Sequence, residues 1–125
     1  TNGVYKSAKH RVISQNSNSE RYSMVLFVHP RPTDRLDPLP EFIEKVGEQK
    51  FANVTRNELL FERLIDLGLH SPELLKIFAA SGAMERLIAV NRGSIAAMQA
   101  LRDANLASEK VLAALEQEKK YTHAN

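Results

Sequence analysis

Arg21 and Ser23 stand two apart in the run Arg21-Tyr22-Ser23-Met24-Val25-Leu26-Phe27-Val28. On a strand side chains alternate between faces, so Arg21, Ser23, Val25 and Phe27 would share one face and Tyr22, Met24, Leu26 and Val28 the other. A guanidinium beside a hydroxyl suits a carboxylate: the planar fork gives two parallel hydrogen bonds and the hydroxyl a third. Upstream, His10, Val12 and Ser14 would share a face of another extended stretch. If the two stretches pair, His10 and Arg21 line one cavity. The alternative is a surface arginine and a packed histidine.

The elements that must hold these groups follow from local patterns. Residues 1–30 are rich in β-branched and aromatic types and frame a polar loop, Gln15 to Glu20, which predicts strands at His10–Ser14 and Arg21–Val28. Pro30, Pro32, Pro38 and Pro40 exclude helix and central strand and predict an extended connector laid over a surface. Beyond Pro40 the period is helical. Glu41–Val46 forms one short helix. Thr55-Arg56-Asn57-Glu58 is a capping box that opens a second, with Leu59, Leu60, Leu64 and Leu67 along it and Gly68 at its end. Ser71-Pro72-Glu73 opens a third, which stops near Ser81-Gly82. Further helices are expected at about Ala83–Asn91, Ser94–Ala104 and Ser108–Lys120.

Composition narrows the functional classes. The 125 residues are 43% hydrophobic and 26% charged, too apolar for a disordered tail. The absence of cysteine excludes disulfides, thiolate metal sites and a cysteine nucleophile, and it fits a reducing, cytoplasmic setting. No apolar run exceeds the five residues of Met24 to Val28, far too short to span a membrane. Seventeen basic against fifteen acidic side chains give +2. Nucleic acid is not an expected partner, because phosphate-backbone binding needs a stronger basic stripe. Asp34, Asp37, Glu41 and Glu44 read as a solvated run, and Met24, Met84 and Met98 as apolar filler.

Two ordered motifs carry a family resemblance. Asn2-Gly3-Val4-Tyr5-Lys6-Ser7-Ala8-Lys9-His10-Arg11-Val12 is followed by Glu20-Arg21-Tyr22-Ser23 and then Phe27-Val28-His29-Pro30-Arg31-Pro32. Together they resemble the carboxy-terminal part of the isopenicillin N synthase-like, Fe(II)/2-oxoglutarate-dependent dioxygenases over about forty residues, and more weakly through Pro38-Leu39-Pro40-Glu41-Phe42 and the helix after Thr55. The resemblance implies that His10 is the distal iron-ligating histidine. It implies that Arg21 and Ser23 bind a carboxylate, the far one of 2-oxoglutarate in most members. It also implies Fe(II) as metal, dioxygen as oxidant and a small organic molecule as substrate. The fold class expected is mixed β and α: the carboxy-terminal strands of a double-stranded β-helix, or jelly roll, with the proline-rich connector over 1–40, then a helical region over 41–125.

The chain departs from the family pattern in two ways. It has no His-x-Asp or His-x-Glu, since His29, His70 and His123 lack a carboxylate two positions on. The expectation is therefore a carboxy-terminal third of an enzyme, inactive alone, whose partner is an amino-terminal part of the same enzyme. The helical region after Gly68 is also longer than the family's usual tail. Its Leu87, Ile88, Ile95, Met98, Leu101, Val111, Leu112 and Leu115 must be covered by other helices, by the outer sheet or by a second subunit in a homodimer. The reading from another functional class is a non-catalytic module, a hairpin with a helical bundle that binds a protein partner.

Overall fold

The computed structural model describes residues 1–13 and 20–122. The predicted end of the first strand at Ser14, and Gln15–Ser19 of the polar loop, lie outside the described residues. Six helices follow one another: α1 (Pro40–Val46), α2 (Arg56–Asp66), α3 (Pro72–Ser81), α4 (Ala83–Ala89), α5 (Ile95–Asp103) and α6 (Glu109–Thr122).

Their ends fall where short-range chemistry puts them. The Thr55 hydroxyl accepts from the Glu58 N–H at 3.2 Å, and the Thr55 N–H donates to the Glu58 carboxylate at 2.8 Å. That reciprocal pair satisfies two donors that a helix start otherwise leaves free. Ser71 and Ser94 cap α3 and α5 by accepting from the Leu74 and Ala97 N–H groups, each at 3.2 Å. Gly82, at φ +68°, ends α3 and starts α4 in one residue. A left-handed backbone there turns the chain without the Cβ clash another residue would bring.

Helices this short are marginal alone and depend on packing. Here α5 lies against α2, α3 and α6, and α4 against α2, α3 and α6. Phe78, Ala83, Met84, Ala97, Leu101 and Val111 fill the centre and are almost wholly excluded from solvent. Leu87, Met98, Leu101, Val111 and Leu115 are thus covered by the helices themselves, while Ile95 and Leu112 remain exposed. The proline connector runs antiparallel to the approach to α2: Leu36 N–H donates to the Val54 carbonyl at 2.8 Å and Arg56 N–H to Asp34 at 2.9 Å.

The expected jelly-roll strands are corrected. Among the described residues there is no β-strand, only the isolated bridge between Arg35 and Thr55. Residues 10–13 and 20–28 have no ladder, and both faces of the second stretch meet solvent, with Met24 100% and Val25 65% exposed. The physical reason is that β propensity measures fit to a partnered, half-buried pleated surface. Two strands without a third or a covering layer are marginal at best. The sequence pattern was a statement about neighbours these residues do not have here.

Two predictions concern this fold. Phe78→Ala should lower unfolding free energy by about 3–5 kcal/mol, whereas Leu59→Ala, at a 42% exposed site, should change it by less than about 1 kcal/mol. Urea titration of both variants checks this. The second involves Glu58: burial pushes its carboxyl up, but the Thr55 N–H and the Arg86 guanidinium outweigh that and hold it below the usual glutamate range. A depressed folded value means stability present above the unfolded value and lost as pH falls through the folded one. The stability gap between the parent chain and Glu58→Gln should therefore be widest near neutrality and close below about pH 4. Glu62, raised chiefly by burial and further by the Asp66 charge, acts alike in both proteins and cancels in the difference.

Candidate functional site

The histidine-bearing segment begins in a tight turn. Asn2 (φ +51°) and Gly3 (φ +83°) are both left-handed, and Val4 N–H donates to the Thr1 carbonyl at 3.0 Å. Two successive positive φ values are those of a type I′ turn, which Asn-Gly suits best. Asn2 is 2% exposed. Its Nδ2 donates to the carbonyls of Glu48 (2.8 Å) and Phe42 (3.4 Å), and its Oδ1 accepts from the Lys50 N–H at 2.8 Å. Tyr5 then meets Phe42 edge-on, with centroids 5.9 Å apart. One amide side chain thus fastens the turn to α1 and to the loop that follows it.

Past this anchor the predicted site residues stand in solvent. His10 is exposed, with Nδ1 3.1 Å from the Ala8 carbonyl. A carbonyl can only accept, so Nδ1 carries the proton and Nε2 of the neutral ring keeps its lone pair. That is the tautomer an Nε2 metal ligand needs, with the other nitrogen oriented by a carbonyl. Arg21 and Ser23 are exposed too, and among the described residues no hydrogen bond or ion pair joins either of them to His10. Phe27 stacks on His29 at 6.1 Å.

Non-haem Fe(II) is ordinarily held by two imidazoles and one carboxylate on one face. Among the described residues no group of three His, Cys, Asp or Glu could hold a metal. The described donors, on their own, do not fit that ion: His10 offers a single imidazole with no second His, Asp or Glu grouped beside it. The sequence reading missed two other features. The Asn2 stitch had a local signal in the Asn-Gly dipeptide, but its partners forty residues on did not. Arg92 over the Phe51 ring, 4.0 Å from the centroid, had no signal, because the contact spans distant segments.

Comparison with known proteins gives the chemistry its context. Residues 1–30 match the model of the 2OG-Fe(II) oxygenase superfamily, so the resemblance read from the Asn2–Val12 and Arg21–Ser23 motifs is correct for that stretch. A feruloyl CoA ortho-hydroxylase of Ipomoea batatas is 48% identical over 79 residues, covering 62% of this chain and 22% of its own length. The 1-aminocyclopropane-1-carboxylate oxidase 4 of Arabidopsis thaliana is 36% identical over 99 residues, 77% of this chain and 30% of its own. Scopoletin 8-hydroxylase of Arabidopsis thaliana is 39% identical over 62 residues, 50% of this chain and 16% of its own. The chain therefore spans less than a third of the length of these relatives. A match over 77% of the chain must also include part of the helical region, further than the forty residues in which the motifs lie. No solved structure matches the chain.

The anchor can be tested directly. Asn2→Gly keeps the left-handed backbone but removes the amide, leaving the Lys50 N–H and Glu48 carbonyl without their partner. It should cost about 1–3 kcal/mol, and Asn2→Ala somewhat more because Ala tolerates positive φ poorly. Hydrogen exchange at the Lys50 amide should accelerate in both variants; unchanged protection would show that Asn2 does not hold that loop.

Proposed function

On the match of residues 1–30 to the 2OG-Fe(II) oxygenase superfamily, we propose that this chain is part of a cytoplasmic non-haem Fe(II) oxygenase. The whole protein would use dioxygen and 2-oxoglutarate to oxidise a small organic molecule. The single observation that carries the reading is that His10, Arg21 and Ser23 all fall inside the matched thirty residues, in motif order. In this reading His10 is one iron ligand, and the other donors come from outside these 125 residues. Arg21 and Ser23 take the far carboxylate of 2-oxoglutarate: the guanidinium supplies two parallel donors and the hydroxyl a third. The carbonyl-held tautomer of His10 supports the first assignment, since it leaves Nε2 able to ligate. The lack of competing partners on Arg21 and Ser23 among the described residues supports the second.

The names of the relatives suggest where to look for a substrate. Feruloyl CoA is the first compound to test, being named for several of them, with scopoletin next. The oxidase among the relatives is the reason to test 2-oxoglutarate dependence directly. A second reading, a non-catalytic interaction module, is favoured by one observation: Ala52, Val54 and the helices from α2 to α6 form a core without the first thirty residues. A His-x-Asp upstream of His10 in the whole polypeptide would decide for the enzyme, and a polypeptide lacking it would decide for the module.

In the whole protein, His10→Ala should abolish Fe(II) binding, read by metal titration under anaerobic conditions, while leaving the helical core's melting unchanged. Arg21→Lys keeps the charge and loses the fork, so it should raise the 2-oxoglutarate constant about tenfold or more, given about 1.5–3 kcal/mol for a charged hydrogen bond. Ser23→Ala, which removes one neutral donor, should cost about 1 kcal/mol. Undiminished iron binding in the first variant, or negligible effects in the other two, would remove those residues from the site.

A further inference from the structure

A cavity of about 570 Å³ opens beside the Asn2 turn, within the size range of small-molecule sites. Its wall contains Lys6, Lys50 and Arg92 and no Asp or Glu. In a chain whose net charge is only +2, that is a local concentration of one sign in a concave place, where the field is strongest. Arg92 is held in position. Its guanidinium lies 4.0 Å over the Phe51 ring, and its Nε donates to the Lys50 carbonyl at 3.1 Å. Ring and carbonyl fix the plane of the fork, while its two terminal nitrogens have no partner among the described residues. A fork already held in place loses little freedom when an anion arrives. Lys50 has one competitor, Glu48 at 3.6 Å, in an exposed pair that contributes little.

The number and kind of groups select the ligand. A lone carboxylate would use the Arg92 fork and leave two lysines idle. A diphosphate offers oxygens on two phosphorus atoms, enough for the fork and both ammonium groups at once. Leu36, Pro38 and Phe51 add an apolar wall for an organic substituent. We propose that this cleft binds a diphosphate ester, with Arg92 as the oriented bidentate contact and Lys6 and Lys50 as flanking charges. Nucleoside diphosphates and coenzyme A share that group. The site uses none of His10, Arg21 or Ser23, so it stands or falls apart from the oxygenase reading.

Calorimetric titration of the 125-residue chain with inorganic pyrophosphate, ADP and coenzyme A tests it. All three should bind saturably and more weakly as salt rises. Arg92→Gln should weaken binding about tenfold or more, as loss of a charged bidentate contact implies. Lys6→Gln, at an exposed position that leaves the fold intact, should weaken it several-fold, and Lys76→Gln on α3 should not. Coenzyme A binding well above ADP would assign the cleft to a thioester carrier, and equal binding would assign it to the diphosphate alone. Absence of saturable binding by any probe, or binding unchanged in both Arg92→Gln and Lys6→Gln, would overturn the proposal.

Discussion

The Arg86 guanidinium donates to the Asn53 carbonyl at 2.8 Å, to the Ser81 carbonyl at 3.0 Å and to the Glu58 carboxylate at 2.7 Å. Three places meet at this one side chain from α4: the approach to α2, the first turn of α2 and the end of α3. Glu58 belongs at the same time to the Thr55 capping box, so the start of α2 is tied to α4 by the acid that caps it. Apolar packing is non-directional and would let short helices slide; a planar fork with three fixed acceptors does not. The Glu58 carboxylate is only 16% exposed, which makes this pair harder to screen than the surface pairs elsewhere in the chain.

Asn2 does for the first segment what Arg86 does for the bundle, with neutral chemistry. Its amide reaches backbone groups more than forty positions away and leaves α1 fixed to the turn although no residue of α1 is buried. The cationic cleft arises from the same join. Lys6 follows the turn, Lys50 is the residue whose N–H the Asn2 amide accepts, and Arg92 bonds the Lys50 carbonyl. The two chemically suggestive regions of the molecule thus differ in kind. One is organised around a buried side chain, and the other, described at residues 10–13 and 20–28, stands in solvent.

What could be read from the sequence follows the range of the interactions. The ends of α2, α3 and α5 were legible because Thr55, Ser71 and Ser94 bond their own neighbours three residues on. The strands were misread because a strand is defined by what lies beside it, and no periodicity within 21–28 says whether a neighbour is present. Spacing alone left His10, Arg21 and Ser23 open between a cavity and a surface, and only the ordered motifs around them suggested specific roles. Arg86, Asn2 and Arg92 were not visible as organising residues, since each acts across a separation that sequence pattern does not encode.

The exposed run from Tyr22 to Val28 also sets a kinetic condition on the molecule. It is β-prone, lacks proline and glycine, and carries Met24, Leu26, Phe27 and Val28 at exposures from 75% to 100%. Such a segment pairs readily with a copy of itself, and that encounter is second order in concentration, whereas covering within one polypeptide is first order. Dilution therefore favours the soluble chain and crowded synthesis favours aggregates. The yield of usable protein becomes a race between two rate laws, decided before any equilibrium stability of the helical core matters.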